Sequence, residues 1–439
     1  MSRKSSEEKG YKGFKVQLDP NNWQEHRLVE YSGAARFAYN WALEKEMVSL
    51  SEGNGIIDDS DLRKEFTQLK KEKEYLWLNG VYNEVTKQAI KDCVEAFWDY
   101  MEKRKSPGYV RYTKKQIEHA ARIKKELTEY DSQGHPKFKC RWKSEDCGFY
   151  LDPVALKIGE RKLRVPTLYP RVGHSVSRLE KKSTIRLKER NRIPLGVKYS
   201  NPRVVYDGEH WWLTISVEME SVQRENPSFS YEIIKEGDGL DVGIKATITK
   251  SNGESYININ KTSKVRKSEK AKKRLQRQLS RKYRMNNKEG EYKKTENIKK
   301  LEKRILRKTH RVSGIRENFR HQMTSGIVNS EPGFISMETL NVKGMMKNKH
   351  LSKAIQDQGF YEIRRQLTYK CKNKGIPLIL ADPWFPSSKT CNCCGYVKKD
   401  LKLRDRIFKC PNCGNEDDRD WNAAKNLRWY GEQVLQGAL

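Results

Sequence analysis

Two Cys-x-x-Cys pairs constrain this chain more than any other feature. Cys391-Asn392-Cys393-Cys394 and Cys410-Pro411-Asn412-Cys413 are separated by 15 residues. The segment between them is too polar to bury four thiols by apolar packing. Four thiolates around one tetrahedral Zn²⁺ solve that problem, each Cys-x-x-Cys turn presenting two sulfurs to the same ion. Gly395 and Gly414 follow the pairs, where a tight knuckle needs permissive backbone. The spacing selects Cys391, Cys394, Cys410 and Cys413 as ligands and leaves Cys393 as a spare thiol. Five of the nine cysteines lie in this stretch, and Cys93, Cys140, Cys147 and Cys371 are scattered. That distribution favours metal binding in a reducing compartment over disulfides.

The 439-residue chain holds 89 Lys and Arg against 57 Asp and Glu, a net charge of +32. An excess of that size exceeds what solubility needs and points to a polyanion held by phosphate contacts and counterion release. No apolar run approaches the ~18 residues of a membrane-spanning helix, and the first residues lack the apolar core of a signal peptide. An intracellular, cytoplasmic protein acting near the nucleoid, with no membrane partner, is expected.

Hydrophobic periodicity divides the chain. Residues 11–20 read as a strand, with Phe14, Val16 and Leu18 alternating with polar residues until Asp19-Pro20. Helical spacing follows: Ala34, Phe37, Ala38 and Trp41 share a face, as do Leu62, Phe66 and Leu69, and Ile90, Val94, Phe97 and Met101. Ser106-Pro107-Gly108 breaks the block, and a basic helix is expected at about 113–128. Residues 155–220 alternate as strands, and a small barrel closes if the strand at 11–18 joins them. Most aromatics of this half are expected in its core.

From residue 237 a β-meander opens with Gly239-Leu240-Asp241-Val242-Gly243-Ile244. Residues 264–330 then read as two long antiparallel helices with a bend at 286–290. Their apolar seams are narrow (Leu275 and Leu279; Ile298, Leu301 and Ile305), and about two in five residues of 264–320 are Lys or Arg. Self-repulsion makes such a pair costly unless it meets nucleic acid, so Lys272, Lys273, Arg274, Arg277 and Arg281 are candidate phosphate contacts. Short strands are expected at 334–338 and 376–380, with a helix between them through Phe360, Ile363, Leu367 and Cys371. A last helix is expected at about 421–434.

Three carboxylates stand out by their order. Asp241 lies on the first strand of the meander, Glu338 ends a later strand and Asp420 opens the final helix. That is the layout of an RNase H-like nuclease, in which rigidly placed acids hold two Mg²⁺ ions about 4 Å apart. Mg²⁺ takes hard oxygen ligands, and none of the eight histidines lies in these segments.

With these residues in hand, the chain resembles the transposon-encoded TnpB family and its relatives, the miniature type V CRISPR effector nucleases. The likeness runs through Ala34 to Trp41, Gly239-Leu240-Asp241-Val242-Gly243, Met337-Glu338-Thr339-Leu340, the cysteine segment from Pro386 to Gly414, and Asp418-Arg419-Asp420-Trp421-Asn422-Ala423-Ala424. It implies a multidomain α+β fold. A wedge-like β-barrel (1–21 and 131–235) would carry an inserted helical recognition domain (22–130). An RNase H-like (RuvC) α/β nuclease domain (236–390 and 415–439) would carry an inserted zinc ribbon (391–414). It further implies an RNA-guided DNA endonuclease that reads a short target-adjacent motif and pairs a guide RNA with double-stranded target DNA. One Mg²⁺-dependent site of Asp241, Glu338 and Asp420 would cut both strands. Gln88 matches a position facing the adjacent motif. The protein would act as a monomer or an RNA-linked dimer, in a transposon or a CRISPR setting. The basic stretch at 137–143 departs from the family pattern, interrupted by Cys140 and followed by Glu145-Asp146.

Two other classes compete. An RNA-guided repressor would bind without cutting, and loss of an acid would mark it; none is lost. A guide-independent RNase H-like resolvase or transposase would not need the helical block or so high a charge. A sequence-specific transposase would carry a DNA-binding module such as a helix-turn-helix, and none is evident.

Overall fold

The computed structural model describes residues 10–437 apart from 123, 141–146, 167, 169–181, 220–235, 289–290, 293 and 403–404. Glu145-Asp146 therefore lies outside the described residues. The chain divides into two compact units, Met1–Val222 and Gln223–Leu439.

In the first unit, β1 (Gly10–Asp19) leads into the 30-residue helix α1 (Asn22–Ser51). Asn21 caps that helix reciprocally with Gln24, whose amide also donates to the Lys182 and Thr184 carbonyls. Helices α2 (Asp59–Leu69) and α3 (Asn83–Lys105) follow. Leu28, Tyr31, Ala34, Ala38 and Leu43 share one core with Val85, Ile90, Cys93 and Phe97. The small residues of α1 let its backbone come close to α3. Helix α4 (Lys114–Arg122) stops short of the expected 113–128, and Lys124 has a left-handed φ of 51° just beyond it.

The strands β2 (Gly148–Tyr150), β3 (Lys157–Ile158), β4 (Lys162–Arg164), β5 (Thr184–Leu187), β6 (Tyr199–Tyr206) and β7 (Trp211–Met219) join β1 in one sheet, ordered β2-β6-β7-β1-β5-β4-β3. As expected, β1 pairs with the later strands on both sides, Val16 facing Leu213 and Leu18 facing Leu187. The expected barrel is corrected: among the described residues no ladder joins the outer strands, so the sheet does not close. Those outer strands are three and two residues long, too short to offer a closing edge.

The second unit is built on β8 (Asp238–Val242), β9 (Ala246–Lys250) and β10 (Ser255–Ile257), the expected meander. Helix α5 (Ser263–Met285), a hairpin of β11 (Asn287–Lys288) and β12 (Glu291–Tyr292), and helix α6 (Glu296–Asn329) follow. Tyr283 bonds Glu302 near the hairpin, and Glu269 pairs with Arg316 far from it, so the two helices run antiparallel. Strand β13 (Ile335–Glu338) then enters the sheet beside β8. Helices α7 (Val342–Met345), α8 (Ser352–Gln358) and α9 (Phe360–Lys374) lead to β14 (Leu378–Ala381). The order is β10-β9-β8-β13-β14, with β8, β13 and β14 parallel.

Alternation splits that sheet into two faces. Leu240, Val242, Ile335 and Met337 pack with Met323 and Ile327 of α6 and with Ile363 and Leu367 of α9. The opposite face carries Gly239, Asp241, Ser336 and Glu338. It is covered by α10 (Arg419–Leu435), which follows the two-stranded hairpin of β15 (Ile407–Lys409) and β16 (Glu416–Asp418).

Candidate nuclease centre and thiolate knuckle

Three elements bring the carboxylates together. The β8–β13 register pairs Ile335 with Asp238, Ser336 with Gly239 and Met337 with Leu240. One further step sets Glu338 beside Asp241 on the same face, since matched residues of parallel strands point the same way. Helix α10 supplies the third acid because it lies unusually close. A Cβ on Gly239 would sit 2.0 Å from the Ala424 carbonyl oxygen and 2.4 Å from the Arg428 nitrogen. Only glycine admits the helix there, and Ala423 and Ala424 keep the helix side equally small. Asp418 caps α10, accepting from the Asp420 and Trp421 N–H groups at 2.9 and 3.3 Å. The Trp421 indole donates to the Ser251 carbonyl at 2.9 Å, pinning the helix start against the β9–β10 turn.

The electrostatics report this crowding. Burial pushes the Asp241 carboxyl well above the usual range, and the charges of Glu338 and Asp420 push it further. Burial likewise raises Glu338, against the opposing pull of a Ser387 hydrogen bond and of the Arg419 guanidinium. Arg419 lies 3.3 Å from Asp420 and is the cation of this corner. Asp241, raised by burial and by the charges of Glu338 and Asp420, sits in an oxygen-only donor set that a hard divalent cation would relieve, so the residues fit Mg²⁺. Among the described residues they do not gather as tightly as the cysteines, whose ligand atoms all lie within 4.8 Å of one another.

The cysteine group is Cys391, Cys394, Cys410 and Cys413, with Sγ–Sγ separations of 3.7 Å (Cys391–Cys413) and 3.6 Å (Cys394–Cys410). Cys393 is exposed and stands outside it. Gly395 and Gly414 have φ of +74° and +73°, and each returns its N–H to the carbonyl of the first cysteine of its pair. The Asn412 amide donates to Cys394 Sγ and holds that thiol down to about 6, on the thiolate side of neutrality. Phe408 is the buried apolar partner of Cys391 and Cys410. Four converging sulfurs with so small a core suit a tetrahedral soft-ligand ion such as Zn²⁺.

The knuckle is bonded to the acids' own scaffold. Asn422 donates to the Thr390 carbonyl at 2.7 Å and accepts from the Asn392 N–H at 3.0 Å. Asn426 donates to the Ser387 and Thr390 carbonyls, both at 2.7 Å. These asparagines and Ser387 have no part in the sequence reading beyond the motifs containing them. The asparagines' signal was an i, i+4 pair of amides on a helix face shared with Ala423, Ala424 and Leu427.

The basic candidates divide. Lys273, Arg277 and Arg281 line a groove of about 710 Å³ on α5, together with Gln276, Ser280 and Arg284, which the sequence reading did not single out. Arg274 is exposed but is not among the groove's lining residues. Lys272 is turned inward to Glu269 at 3.1 Å. Gln88, in the first unit, donates to Asp92 at 2.9 Å, and Asp92 also receives both guanidinium arms of Arg203. Its amide is thus occupied within the fold.

Comparison with known proteins follows the same segments. Residues 360–427 match a family model described as "Cas12f1-like, TNB domain", and residues 230–349 match one described as "Probable transposase" of the OrfB/IS605 type. Residues 11–54 match a third of that type, described as "Helix-turn-helix domain", a likeness missed at the sequence level. In the structure those residues are strand β1 and the unbroken helix α1, with α2 beginning only at Asp59. The chain is 26% identical to the "Putative RNA-guided DNA endonuclease InsQ" of Escherichia coli (strain K12) over 442 residues, covering 97% of this chain and 94% of that protein. It is 30% identical over 122 residues to the "CRISPR-associated endodeoxyribonuclease Cas12f1" of Sulfoacidibacillus thermotolerans, covering 27% of this chain and 28% of that one. A solved "Structure of the mini-RNA-guided endonuclease CRISPR-Cas_phi3" aligns with 96% of this chain and 92% of its own, at a TM-score of 0.44 and 10% identity.

Proposed function

From a chain related to the TnpB/IS605 transposase family and carrying a Cas12f1-like TNB domain, we propose an RNA-guided DNA endonuclease with one metal-dependent site. The observation that carries the reading is the β8–β13 register that sets Asp241 and Glu338 side by side beneath the N-terminal turn of α10, where Asp420 stands. In this reading Asp241, Glu338 and Asp420 hold two Mg²⁺ ions. When bound, such ions activate a water and stabilise the leaving 3′-oxygen of a phosphodiester. The protein's own part is placement. Parallel strands fix two acids, the capped helix fixes the third, and Arg419 balances their charge. Cys391, Cys394, Cys410 and Cys413 hold a structural Zn²⁺ that keeps the TNB segment folded.

The partners are a structured guide RNA and double-stranded DNA. The basic groove on α5 takes phosphates, and guide pairing reads the sequence. Residues 1–21 and 131–235, with the first unit's sheet, serve as the wedge domain, and residues 22–130, with helices α1 to α4, serve as the recognition domain, with Gln88 near the adjacent motif. The remaining portions, 236–390 and 415–439, serve as the RuvC domain and cut the two strands in turn. A repressor that binds without cutting is disfavoured because all three acids are kept and gathered.

The test is to express the chain with its native flanking DNA and sequence the RNA that copurifies. One species with a structured scaffold and a variable end is expected. A duplex matching that end should be cut with Mg²⁺ and left intact by the Asp241→Ala variant. Heterogeneous RNA stripped by moderate salt would overturn the guided reading.

A further inference from the structure

We infer that Ser387 is a positioning residue for Glu338, and that the four-thiolate knuckle fixes its place through Asn422 and Asn426. The inference rests on the reading of Glu338 as a cation ligand.

Ser387 sits in the segment between β14 and Cys391 and is 2% exposed. Its hydroxyl donates to Glu338 Oε1 at 2.5 Å, across 49 residues of chain. A hydroxyl-to-carboxylate bond of that length is charge-assisted and directional. It engages one lone pair of Oε1 and restrains the side-chain torsion, leaving Oε2 and the second lone pair of Oε1 for a cation. Without it, a glutamate at a strand end has rotamers to lose on binding, and preorganisation is lost.

What holds Ser387 in place comes mostly from outside its own loop. Its N–H bonds the Phe385 carbonyl at 2.9 Å, within the same short loop. Its carbonyl is taken by Asn426 of α10, and the same amide also holds Thr390, the residue before Cys391. Asn422, one turn earlier, holds Thr390 again and receives the N–H of Asn392 inside the first Cys-x-x-Cys turn. Both asparagines are buried, at 0% and 4% exposure. Asn422 lies two residues after Asp420, so one helix carries a catalytic acid and both clamps. A path of hydrogen bonds thus runs from the backbone on either side of Cys391 through Asn422 and Asn426 to Ser387 and Glu338. The Asn426–Ser387 link is buried and the others are part-buried, where an unpaired partner is costly. An ion at the four sulfurs fixes Asn392 and Thr390, and through them the serine that aims Glu338. The knuckle then does more than keep its own hairpins folded.

The test uses the full chain with its copurified RNA. Mn²⁺ binding is titrated by electron paramagnetic resonance, zinc content is measured by mass spectrometry, and guided cleavage is followed against Mg²⁺ concentration. Ser387→Ala should raise both the Mn²⁺ dissociation constant and the Mg²⁺ half-saturation about 10- to 100-fold, the range seen for groups that orient metal ligands. Zinc content should stay unchanged, saturating Mg²⁺ should recover most of the rate, and Ser387→Thr should restore cation affinity. Asn426→Ala should move the same constants in the same direction by less. Stripping the zinc should weaken Mn²⁺ binding in the wild type and add little in Ser387→Ala, since both act through one contact. Wild-type Mn²⁺ and Mg²⁺ constants in Ser387→Ala would overturn the positioning role. Independent, multiplying effects of zinc removal and Ser387→Ala would overturn the coupling. The Asp241→Ala control separates this outcome from failure of the underlying reading: if that variant binds Mn²⁺ and cleaves like the wild type, the carboxylate site itself is wrong.

Discussion

The corner formed by β8, β13 and α10 and the pair formed by α5 and α6 lie in the same unit but obey opposite rules. In the corner, charge is half-buried, like charges face one another, and the helix touches the sheet backbone. In the pair, charge is mostly solvated apart from the inward Glu269, Lys272 and Arg316, the apolar seam is little more than Val265, Leu275, Ile298, Leu301 and Val312, and side chains such as Lys273, Arg277 and Arg281 face solvent. The first region spends stability to hold a geometry. The second holds little geometry and carries field. A substitution should therefore act through position in the corner and through charge on the pair.

The sharpest break between the two is in turnover. Asp241→Ala should lower guided cleavage at least about 10³-fold, a loss of roughly 4 kcal/mol of transition-state stabilisation. RNA copurification should be unchanged, since the acid is not among the residues lining the basic groove. Residual cleavage within tenfold of wild type in a single-turnover assay would break the comparison at its root.

Two glycines test the packing side. Gly239→Ala drives a methyl into the backbone of α10 and should cost about 3 kcal/mol or more, because neither strand nor helix can yield without moving an acid. Gly314 lies inside α6 with nothing within 4 Å of its would-be Cβ. Gly314→Ala should instead stabilise by about 0.5–1 kcal/mol through helix propensity alone. Thermal unfolding of the two variants side by side checks both signs, and equal effects would mean the regions are packed alike.

These contrasts were only partly legible in the sequence. Alternation and helical spacing are local, so the meander, the two long helices and β13 fall where periodicity puts them. The four-sulfur group was equally local, two short turns and a fixed separation. The register that sets Glu338 beside Asp241 was not legible, because parallel pairing is decided by nonlocal packing of Ile335 and Met337 against α6 and α9. Barrel closure failed for a related reason: it depends on edge strands too short to leave a pattern. Lys272 was grouped with its exposed neighbours on charge alone, whereas its partner Glu269, one turn earlier, turns it inward. Ser387 reads as one more polar residue in a loop until the fold carries it to Glu338.

On the basic pair the expected effect is smaller and depends on salt. Arg277→Ala with Arg281→Ala removes two groove cations while leaving the seam intact. If each meets a phosphate, RNA affinity should fall several-fold at physiological salt. The slope of log K against log salt should become shallower by about 1–2. The Mg²⁺ half-saturation for cleavage should not move. A shift in that constant with an unchanged salt slope would assign these residues to the corner's rules instead.

The smallest effect separates the regions by sign. Asp241 and Glu338 both have proton affinities raised by burial, and Asp241 is raised further by its acidic neighbours. A carboxyl whose folded-state pKa lies above its unfolded value of about 4 binds its proton more tightly when folded. Its contribution to stability is fully present below about pH 4 and is lost as pH rises through the folded value. At pH 7.5 the cation-free corner therefore carries an electrostatic burden. Asp241→Asn should relieve it and stabilise the metal-free unit by an amount on the order of 1 kcal/mol, or roughly 2–4 °C in Tm. Added Mg²⁺ should raise the Tm of the wild type and move that of Asp241→Asn much less. On α5, Arg277→Gln should show neither response. Calorimetry of the three proteins at pH 5 and pH 7.5, with and without Mg²⁺, decides it. A destabilised Asp241→Asn at the higher pH would mean that Arg419 already neutralises the corner and that its acids are not under strain.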